Sequence, residues 1–97
     1  MTKKLSQAEV DERLGALAGW TLAGGKLHRE YKFKSFVDAF GWMTSVALRA
    51  EKADHHPEWF NVYSTVKVDL TTHDAGGISE KDFALAHEME KLAAGRV

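Results

Sequence analysis

Three helix-start signals divide this chain of 97 residues and fix the order of its elements. Each signal reads Ser-x-x-acid, and the three begin at Ser6, Ser35 and Ser79. In a capping box the serine hydroxyl accepts from the backbone N–H three residues on, while the side chain at that position can return the bond. Apolar residues follow each start at helical spacing. The pattern predicts helices over about residues 6–18, 35–52 and 79–94.

Two pairs of short strands are predicted between those helices. Gly24-Gly25 can take the positive φ angles of a tight hairpin turn. In the last strand Val66, Val68 and Leu70 alternate with polar residues, which is typical of a strand with one wet face. Arg29 occupies an apolar position of the second strand and weakens its alternation. The predicted strands are residues 20–23, 26–33, 59–62 and 66–71.

The order of elements is therefore α-β-β-α-β-β-α. Strands with one wet face and amphipathic helices favour two packed layers. We expect an α+β fold in which a four-stranded antiparallel sheet carries three helices packed on one face. A chain of this length has too few residues to close a second core, so a single domain is predicted over residues 1–97.

The middle helix is apolar on two sides. A helix of this kind is either buried on both sides or used in association. We predict that the second side is used to dock on another protein. The first stripe comprises Phe36, Phe40, Met43 and Ala47, and the second side comprises Trp42, Val46 and Ala50.

Composition excludes several classes of protein. A formal net charge of −1 provides no basic excess for phosphate binding, so no nucleic-acid partner is expected. No run approaches the roughly 18 apolar residues of a membrane span, and the N-terminus lacks an apolar stretch of signal-peptide length. The absence of cysteine removes disulfides and thiol nucleophiles. We expect a cytoplasmic protein.

Three of the five histidines lie between Glu51 and Asp82. His55 and His56 are adjacent, and His73 follows a strand-length run. Imidazole is the side chain whose ordinary titration suits proton transfer near neutral pH. The spacing predicts two loops that converge on one pocket, with the strands between them as scaffold.

Each of these residues also has a simpler interpretation. The histidine pair can merely cap the C-terminus of the middle helix, where donors and cations are favoured. Asp82 fits a helix cap, worth about 1 kcal/mol. Zinc binding is disfavoured because the histidines lack an i, i+4 pair and no cysteine assists. Trp20 is either an aromatic wall for a flat ligand or a core residue, and the core is favoured.

The spacing Glu51-x-x-x-His55-His56-Pro57, followed by an aromatic run, His73 and Asp82, resembles the signature of the pterin-4a-carbinolamine dehydratases. The signature covers about a third of the chain, and the length and element order are also similar. The resemblance implies dehydration of 4a-hydroxytetrahydrobiopterin, the product of aromatic amino acid hydroxylases, to quinonoid dihydropterin and water. It implies no metal or organic cofactor. In vertebrates the family also serves as a dimerisation cofactor of a homeodomain transcription factor.

The resemblance also implies roles for individual residues. His55 and His73 match the acid/base histidines, and His56 matches one that mainly holds substrate. Glu51, Asp82 and Trp20 match pocket residues, and either carboxylate could set a histidine tautomer. Lys81 stands where many relatives carry arginine, and lysine lacks the planar fork of a bidentate contact. The remaining residues of the pterin-contacting backbone segments are Pro57, Thr72, Asp74 and Ala75.

Two alternatives remain open beside the pterin-recycling enzyme. One is an oligomeric protein-binding module, since a homodimer or homotetramer is expected in either case and sheet-edge pairing could also join chains. The other is a dehydratase acting on another pterin, such as one related to molybdenum-cofactor metabolism. A transcriptional role is disfavoured because nothing in the sequence supports DNA contact.

Overall fold

All three serine caps predicted from the sequence form. Ser6 and Glu9 exchange bonds of 3.1 and 2.9 Å, and the Ser79 box and the Ser35 cap are also present. The computed structural model describes residues 2–97, and Met1 lies outside the described part. The helices are α1 (Gln7–Leu14), α2 (Phe36–Ala53) and α3 (Glu80–Ala93); the strands are β1 (Thr21–Ala23), β2 (Lys26–Lys32), β3 (Glu58–Val62) and β4 (Thr65–Leu70).

The strands form one antiparallel sheet in the order β1-β2-β4-β3. Gly24 and Gly25 join the first hairpin with φ angles of 60° and 77°, as their positive-φ tolerance predicts. The second hairpin turns at Tyr63, whose φ is 51°. The sheet and the order α-β-β-α-β-β-α confirm the predicted fold class.

The core lies between one face of the sheet and the helices. Leu27, Tyr31 and Val68 point inward from the central strands and are buried. Trp42 of α2 meets them, and its indole nitrogen donates to the Met89 carbonyl of α3 at 3.0 Å. The opposite side of the sheet, called the open face below, is largely polar. From the strand registers it carries Lys26, His28, Glu30, Lys32, Glu58, Phe60, Val62, Thr65, Lys67 and Asp69.

The prediction that the Trp42 side of α2 docks a partner is wrong. Trp42, Val46 and Ala50 are fully buried in the core. The buried and exposed sides of α2 are the reverse of those predicted. Both sides are apolar, so residue spacing alone does not select which one is buried. The Trp42 side is buried because its ring packs on Tyr31 and Phe33 of the sheet while its N–H finds an acceptor. The other side forms the exposed α2 face, comprising Phe36 (45% exposed), Val37 (78%), Phe40 (54%) and Leu48 (70%).

Helix α1 is shorter than predicted, ending at Leu14 instead of near Ala18. Beyond Leu14 the backbone continues in tighter turns, in which the N–H groups of Ala16 and Leu17 donate to Arg13 and Leu14. The Arg29 guanidinium donates to the Ala18 carbonyl at 2.7 Å. A Cβ on Gly19 would lie 1.9 Å from that guanidinium, and Gly19 has a φ of +88°. The arginine at an apolar position of β2 therefore ties the end of the segment after α1 to the sheet. Among the helices of residues 2–97, none combines the length and apolarity that a bilayer crossing requires.

Candidate active site

His55 lies where α2 ends and the chain turns toward β3. Asp54 caps the helix in the left-handed region, with a φ of 50°. The His55 backbone N–H then donates to Ala50 at 3.1 Å. Pro57, two residues on, disfavours helical geometry at His56, so the chain leaves α2 as an extended segment. The His55 ring points inward and is buried, in contrast to the exposed capping histidine of the simpler interpretation.

The partner of the His55 ring is Asp82, a fully buried carboxylate in the first turn of α3. His55 Nε2 lies 2.6 Å from Asp82 Oδ1, and Oδ2 accepts from the Ser79 backbone N–H at 2.9 Å. The Thr72 hydroxyl also donates to Oδ2, at 2.8 Å. Asp82 is thus both the predicted helix cap and the partner of a histidine.

The hydroxyl protons of this network have one consistent arrangement. Thr72 gives its proton to Asp82, so the 2.6 Å contact between Thr72 and Ser79 must be a bond donated by Ser79. The Ser79 oxygen in turn accepts from the Lys81 backbone N–H at 3.2 Å. Because a carboxylate only accepts, the ring proton of His55 lies on Nε2 when the imidazole is neutral. Nδ1 is then the nitrogen left to exchange a proton.

His56 pairs with Glu51 on the surface. Its Nε2 lies 2.8 Å from Glu51 Oε1, and the side chains are 57% and 81% exposed. The contact spans the last turn of α2, where the helix dipole favours a proton donor. An exposed ring held only by another exposed side chain remains free to meet a ligand.

His73 opens a short 3-10 helix, His73–Ala75, beyond the end of β4. Its side chain is 83% exposed, and Nε2 lies 3.4 Å from Oε2 of Glu58, the first residue of β3. The other oxygen of Glu58 accepts from Lys26 Nζ at 2.6 Å. The Lys26 hydrogen bond holds the pKa of Glu58 below its ordinary value, and His73 contributes in the same direction.

Sequence reasoning missed Glu58, Lys26 and Ser79. Ser79 was assigned only a capping role, although its hydroxyl is part of the Asp82 network. Glu58 follows the His-His-Pro run directly, which is the one local signal that could have identified it. Lys26 is 32 residues away in sequence, so only the strand register brings it to Glu58.

The contacts of the two histidine loops lie at the same end of the sheet, but the groove that His73 lines includes neither His55 nor His56, so a single pocket shared by both loops remains a prediction. The bond from His55 to Asp82, and the bond from Asp82 to Thr72, tie the end of α2 to the end of β4. His73 follows Thr72 and reaches back to Glu58, which lies three residues after His55. These contacts close a ring around one end of the sheet.

Trp20 lies in the core. Its indole nitrogen donates to Glu90 of α3 at 3.1 Å, and its ring meets Tyr31 edge-on. The core interpretation therefore describes its position, and its part in a pterin pocket remains a prediction. Asp74 is exposed, Ala75 is half-buried, and Lys81 joins the network only through its backbone.

An open groove of about 950 Å³ adjoins His73. That volume is within the range of small-molecule sites. Its walls include Lys26, Thr71, Gly76 and Gly77, together with the segment that precedes α1. Elsewhere, His28 is half-buried, and its Nδ1 lies 2.9 Å from Asp69 on the open face. Within residues 2–97, no three histidine or acidic side chains form a cluster suited to a metal ion.

The fold and these side chains define a small α+β protein in which each of three histidines contacts a carboxylate near one end of the sheet. The model of the family described as "Pterin 4 alpha carbinolamine dehydratase" matches residues 3–92. A protein of Solibacter usitatus named "Putative pterin-4-alpha-carbinolamine dehydratase" is 59% identical over 95 residues, which are 98% of this chain and 100% of that protein. A Rhizobium rhizogenes protein of the same name is 57% identical over 96 residues, 97% of this chain and 95% of the other.

The chain therefore belongs to the pterin-4a-carbinolamine dehydratase family, as the resemblance predicted. A crystal structure of a transcriptional coactivator/pterin dehydratase from Brucella melitensis has a TM-score of 0.91 and 46% identity, covering 94% of this chain and 99% of that one. A pterin dehydratase-like protein identified as a RuBisCO assembly factor has a TM-score of 0.63 at 20% identity, covering 80% and 89%. That second likeness extends to the fold alone.

Proposed function

We propose that this protein is a 4a-hydroxytetrahydrobiopterin dehydratase that regenerates the pterin used by aromatic amino acid hydroxylases. The observation that carries the proposal is the pairing of each signature histidine with a carboxylate. His55 contacts Asp82, His56 contacts Glu51, and His73 contacts Glu58. Family membership supplies the substrate class.

The reaction needs one acid and one base. The acid protonates the C4a hydroxyl, the C4a–O bond breaks, and water leaves. The base removes the proton from N5, and the N5–C4a bond becomes double, which gives quinonoid dihydropterin. Two imidazoles can carry both transfers, each contributing roughly 10²–10⁴-fold.

In this proposal His55 and His73 are the acid/base pair. Asp82 fixes the Nε2–H tautomer of His55, so that Nδ1 exchanges the proton and the carboxylate stabilises the imidazolium. His56 holds substrate, with Glu51 restraining its ring. The groove beside His73, which neither His55 nor His56 lines, provides room for a substituent of the bicyclic ring.

The test is the rate at which quinonoid dihydropterin forms from freshly generated 4a-hydroxytetrahydrobiopterin, followed by absorbance with the spontaneous rate subtracted. We expect His73→Ala to lose most of the catalysed rate, about 100-fold, since one general acid/base is removed. His87→Ala is the matched control, because His87 is an exposed histidine of α3. It should keep the full rate.

Three outcomes would contradict parts of the proposal. A wild-type protein that does not exceed the spontaneous rate would exclude the dehydratase, and normal turnover by His73→Ala would remove His73 from the mechanism. Loss of activity on dialysis against a chelator, restored by zinc, would favour a zinc site in place of metal-free catalysis. Assays with several 4a-hydroxypterins would distinguish the tetrahydrobiopterin enzyme from one serving another pterin.

A second candidate function is association of the chain with further copies of itself, which is compatible with the first. We propose that the exposed α2 face packs on the same face of a second copy in a homodimer or homotetramer. Four large apolar side chains stand on that face, and contiguous apolar surface of this kind marks contact sites. In a two-fold symmetric dimer the same surface of each copy forms the interface, so the exposed α2 face can pack on itself.

Sedimentation velocity tests the association. We expect the wild type to sediment as a dimer or larger, and Phe40→Glu to shift it toward monomer because the charge would be buried at the contact. Glu30→Lys on the open face is a control that changes the charge away from the exposed α2 face, and it should leave the sedimentation unchanged. A monomeric wild type would exclude the proposal.

A further inference from the structure

Glu58 is shared between a lysine and a histidine. Its Oε1 accepts from Lys26 Nζ at 2.6 Å, and its Oε2 faces His73 Nε2 at 3.4 Å. Each oxygen therefore has its own partner. A carboxylate held on one oxygen presents the other in a defined direction, whereas an unheld carboxylate rotates freely.

The strand order explains why Lys26 can do this. β4 lies between β2 and β3, so Lys26 and Glu58 flank it on strands about 10 Å apart. Lys26 precedes Leu27, which pairs with Leu70 of β4. Glu58 pairs with Asp69, the residue before Leu70. The ion pair thus crosses β4 on the open face, immediately before the chain leaves the sheet toward His73.

His73 has little else to hold it. The ring is exposed, and the only ion pair it makes within residues 2–97 is with Glu58. The hydrogen bond between Lys26 and Glu58 raises the pKa of Lys26 and lowers the pKa of Glu58. Asp69 also acts on Lys26 in the same direction.

We infer that Lys26 and Glu58 form a positioning pair for His73: Lys26 fixes the Glu58 carboxylate, which holds the proton of the His73 ring on Nε2 and directs Nδ1 toward the substrate. The effect of this pair on catalysis rests on the proposed function, whereas its effect on the His73 tautomer does not. The pair gives His73 a carboxylate partner as Asp82 does for His55, but at 3.4 Å on the surface instead of 2.6 Å in the core.

The structural part is tested by ¹⁵N NMR of the imidazole nitrogens at about pH 8.5, where an ordinary histidine is neutral. We expect the Nε2–H tautomer to be more populated in His73 than in exposed His87 in the same spectrum. Glu58→Ala should bring His73 to the tautomer ratio of His87. Lys26→Met should lower the Nε2–H fraction partway, and Lys26→Arg should restore it.

The catalytic part is tested by kcat and KM of the same variants. Loss of one exposed ion pair corresponds to about a fivefold effect. We expect Glu58→Ala and Lys26→Met to lower kcat by about that factor with KM nearly unchanged, and Lys26→Arg to recover it. Glu88→Ala removes the Arg49 ion pair between α2 and α3, at 3.3 Å, and should change neither the spectrum nor kcat.

The outcomes separate the two proposals. A wild type without dehydratase activity but with the His73 tautomer shift would overturn the proposed function and leave the positioning pair standing. A His73 tautomer ratio equal to that of His87 in the wild type would overturn the positioning pair whatever the activity. A loss of kcat in Glu88→Ala equal to that in Glu58→Ala would also overturn it, because ion-pair loss anywhere would then explain the effect.

Discussion

Asp82 shows how one residue satisfies two interpretations at once. Its Oδ2 closes the capping box with the Ser79 backbone, while its Oδ1 meets the His55 ring. The sequence predicted the cap from local spacing, and only the resemblance drew attention to the residue as part of a site. Capping fixes the carboxylate on a rigid helix end, which makes it a precise partner for an imidazole.

The Thr72 hydroxyl connects this carboxylate to β4, so its removal should be costly. Thr72→Val keeps the shape but leaves Asp82 without one donor and the Ser79 hydroxyl without its acceptor. We expect a loss of about 2 kcal/mol in the free energy of unfolding, measured by urea titration. Thr71→Val, the neighbouring control, should stay within about 0.5 kcal/mol. Equal losses in both variants would show that the network contributes nothing specific.

The ion pair of Glu58 should make stability depend on pH in one direction. The pKa of Glu58 is lowered in the folded state from an ordinary value of 4.5, first by the Lys26 hydrogen bond. Its stabilising contribution is therefore complete above pH 4.5 and is lost as the pH falls through the lower folded value. The difference in unfolding free energy between wild type and Glu58→Gln should shrink below that pH and with added salt. A difference that grows on acidification would contradict the assignment.

Much of the site followed from sequence because its residues are close in the chain or fit a signature. His55, His56 and His73 were identified in this way. Glu58 and Lys26 were not, since their contact depends on β2 and β3 flanking β4, and residue spacing within one strand does not specify which strands become neighbours.

At the scale of elements, α3 is tied to the sheet by a polar cluster under its last turn. Glu90 accepts from the Tyr31 hydroxyl and, at 3.1 Å, from the Trp20 indole, and Arg29 lies 3.5 Å away. Burial raises the pKa of Tyr31, and the Glu90 bond raises it further. The hydroxyl therefore stays protonated at neutral pH and can donate.

Two substitutions in this cluster should have unequal effects. Glu90→Ala leaves the Tyr31 hydroxyl and the Trp20 N–H buried without an acceptor, and we expect a loss of about 3 kcal/mol. Tyr31→Phe removes one donor, while the half-exposed carboxylate keeps Trp20, Arg29 and water, so the loss should be about 1 kcal/mol. Urea unfolding of both variants measures the difference. A larger loss from Tyr31→Phe would place the stabilisation in the aromatic contacts instead.

The elements themselves were largely predictable, and the exceptions share a cause. Three caps, the Gly24-Gly25 turn and the alternation in the last strand are local signals, and they gave the correct order. The side of α2 that is buried was not predictable, because two apolar sides compete and the sheet decides between them. The end of α1 was also missed because spacing does not decide it: the apolar spacing continues to Leu17, although the helix ends at Leu14 and tighter turns follow.

At the scale of the whole molecule, the exposed α2 face and the core share one helix. Trp42 and Val46 hold the inner side of α2 against the sheet, while Phe40 and Leu48 stand outward on the other side. Any contact made through the outer side therefore stabilises an element that the core already needs. Self-association and folding should consequently be coupled.

That coupling predicts an unfolding temperature that depends on protein concentration. If copies associate through the exposed α2 face, mass action stabilises the folded chain, and Tm should rise as concentration increases. A hundredfold range between dilute and concentrated samples, followed by circular dichroism, should show the rise in the wild type. Phe40→Glu should have a Tm that no longer changes with concentration, while Glu30→Lys should behave as the wild type does. A wild-type Tm that is constant over this range would mean that the fold is complete in one copy and that the apolar face contributes nothing to its stability.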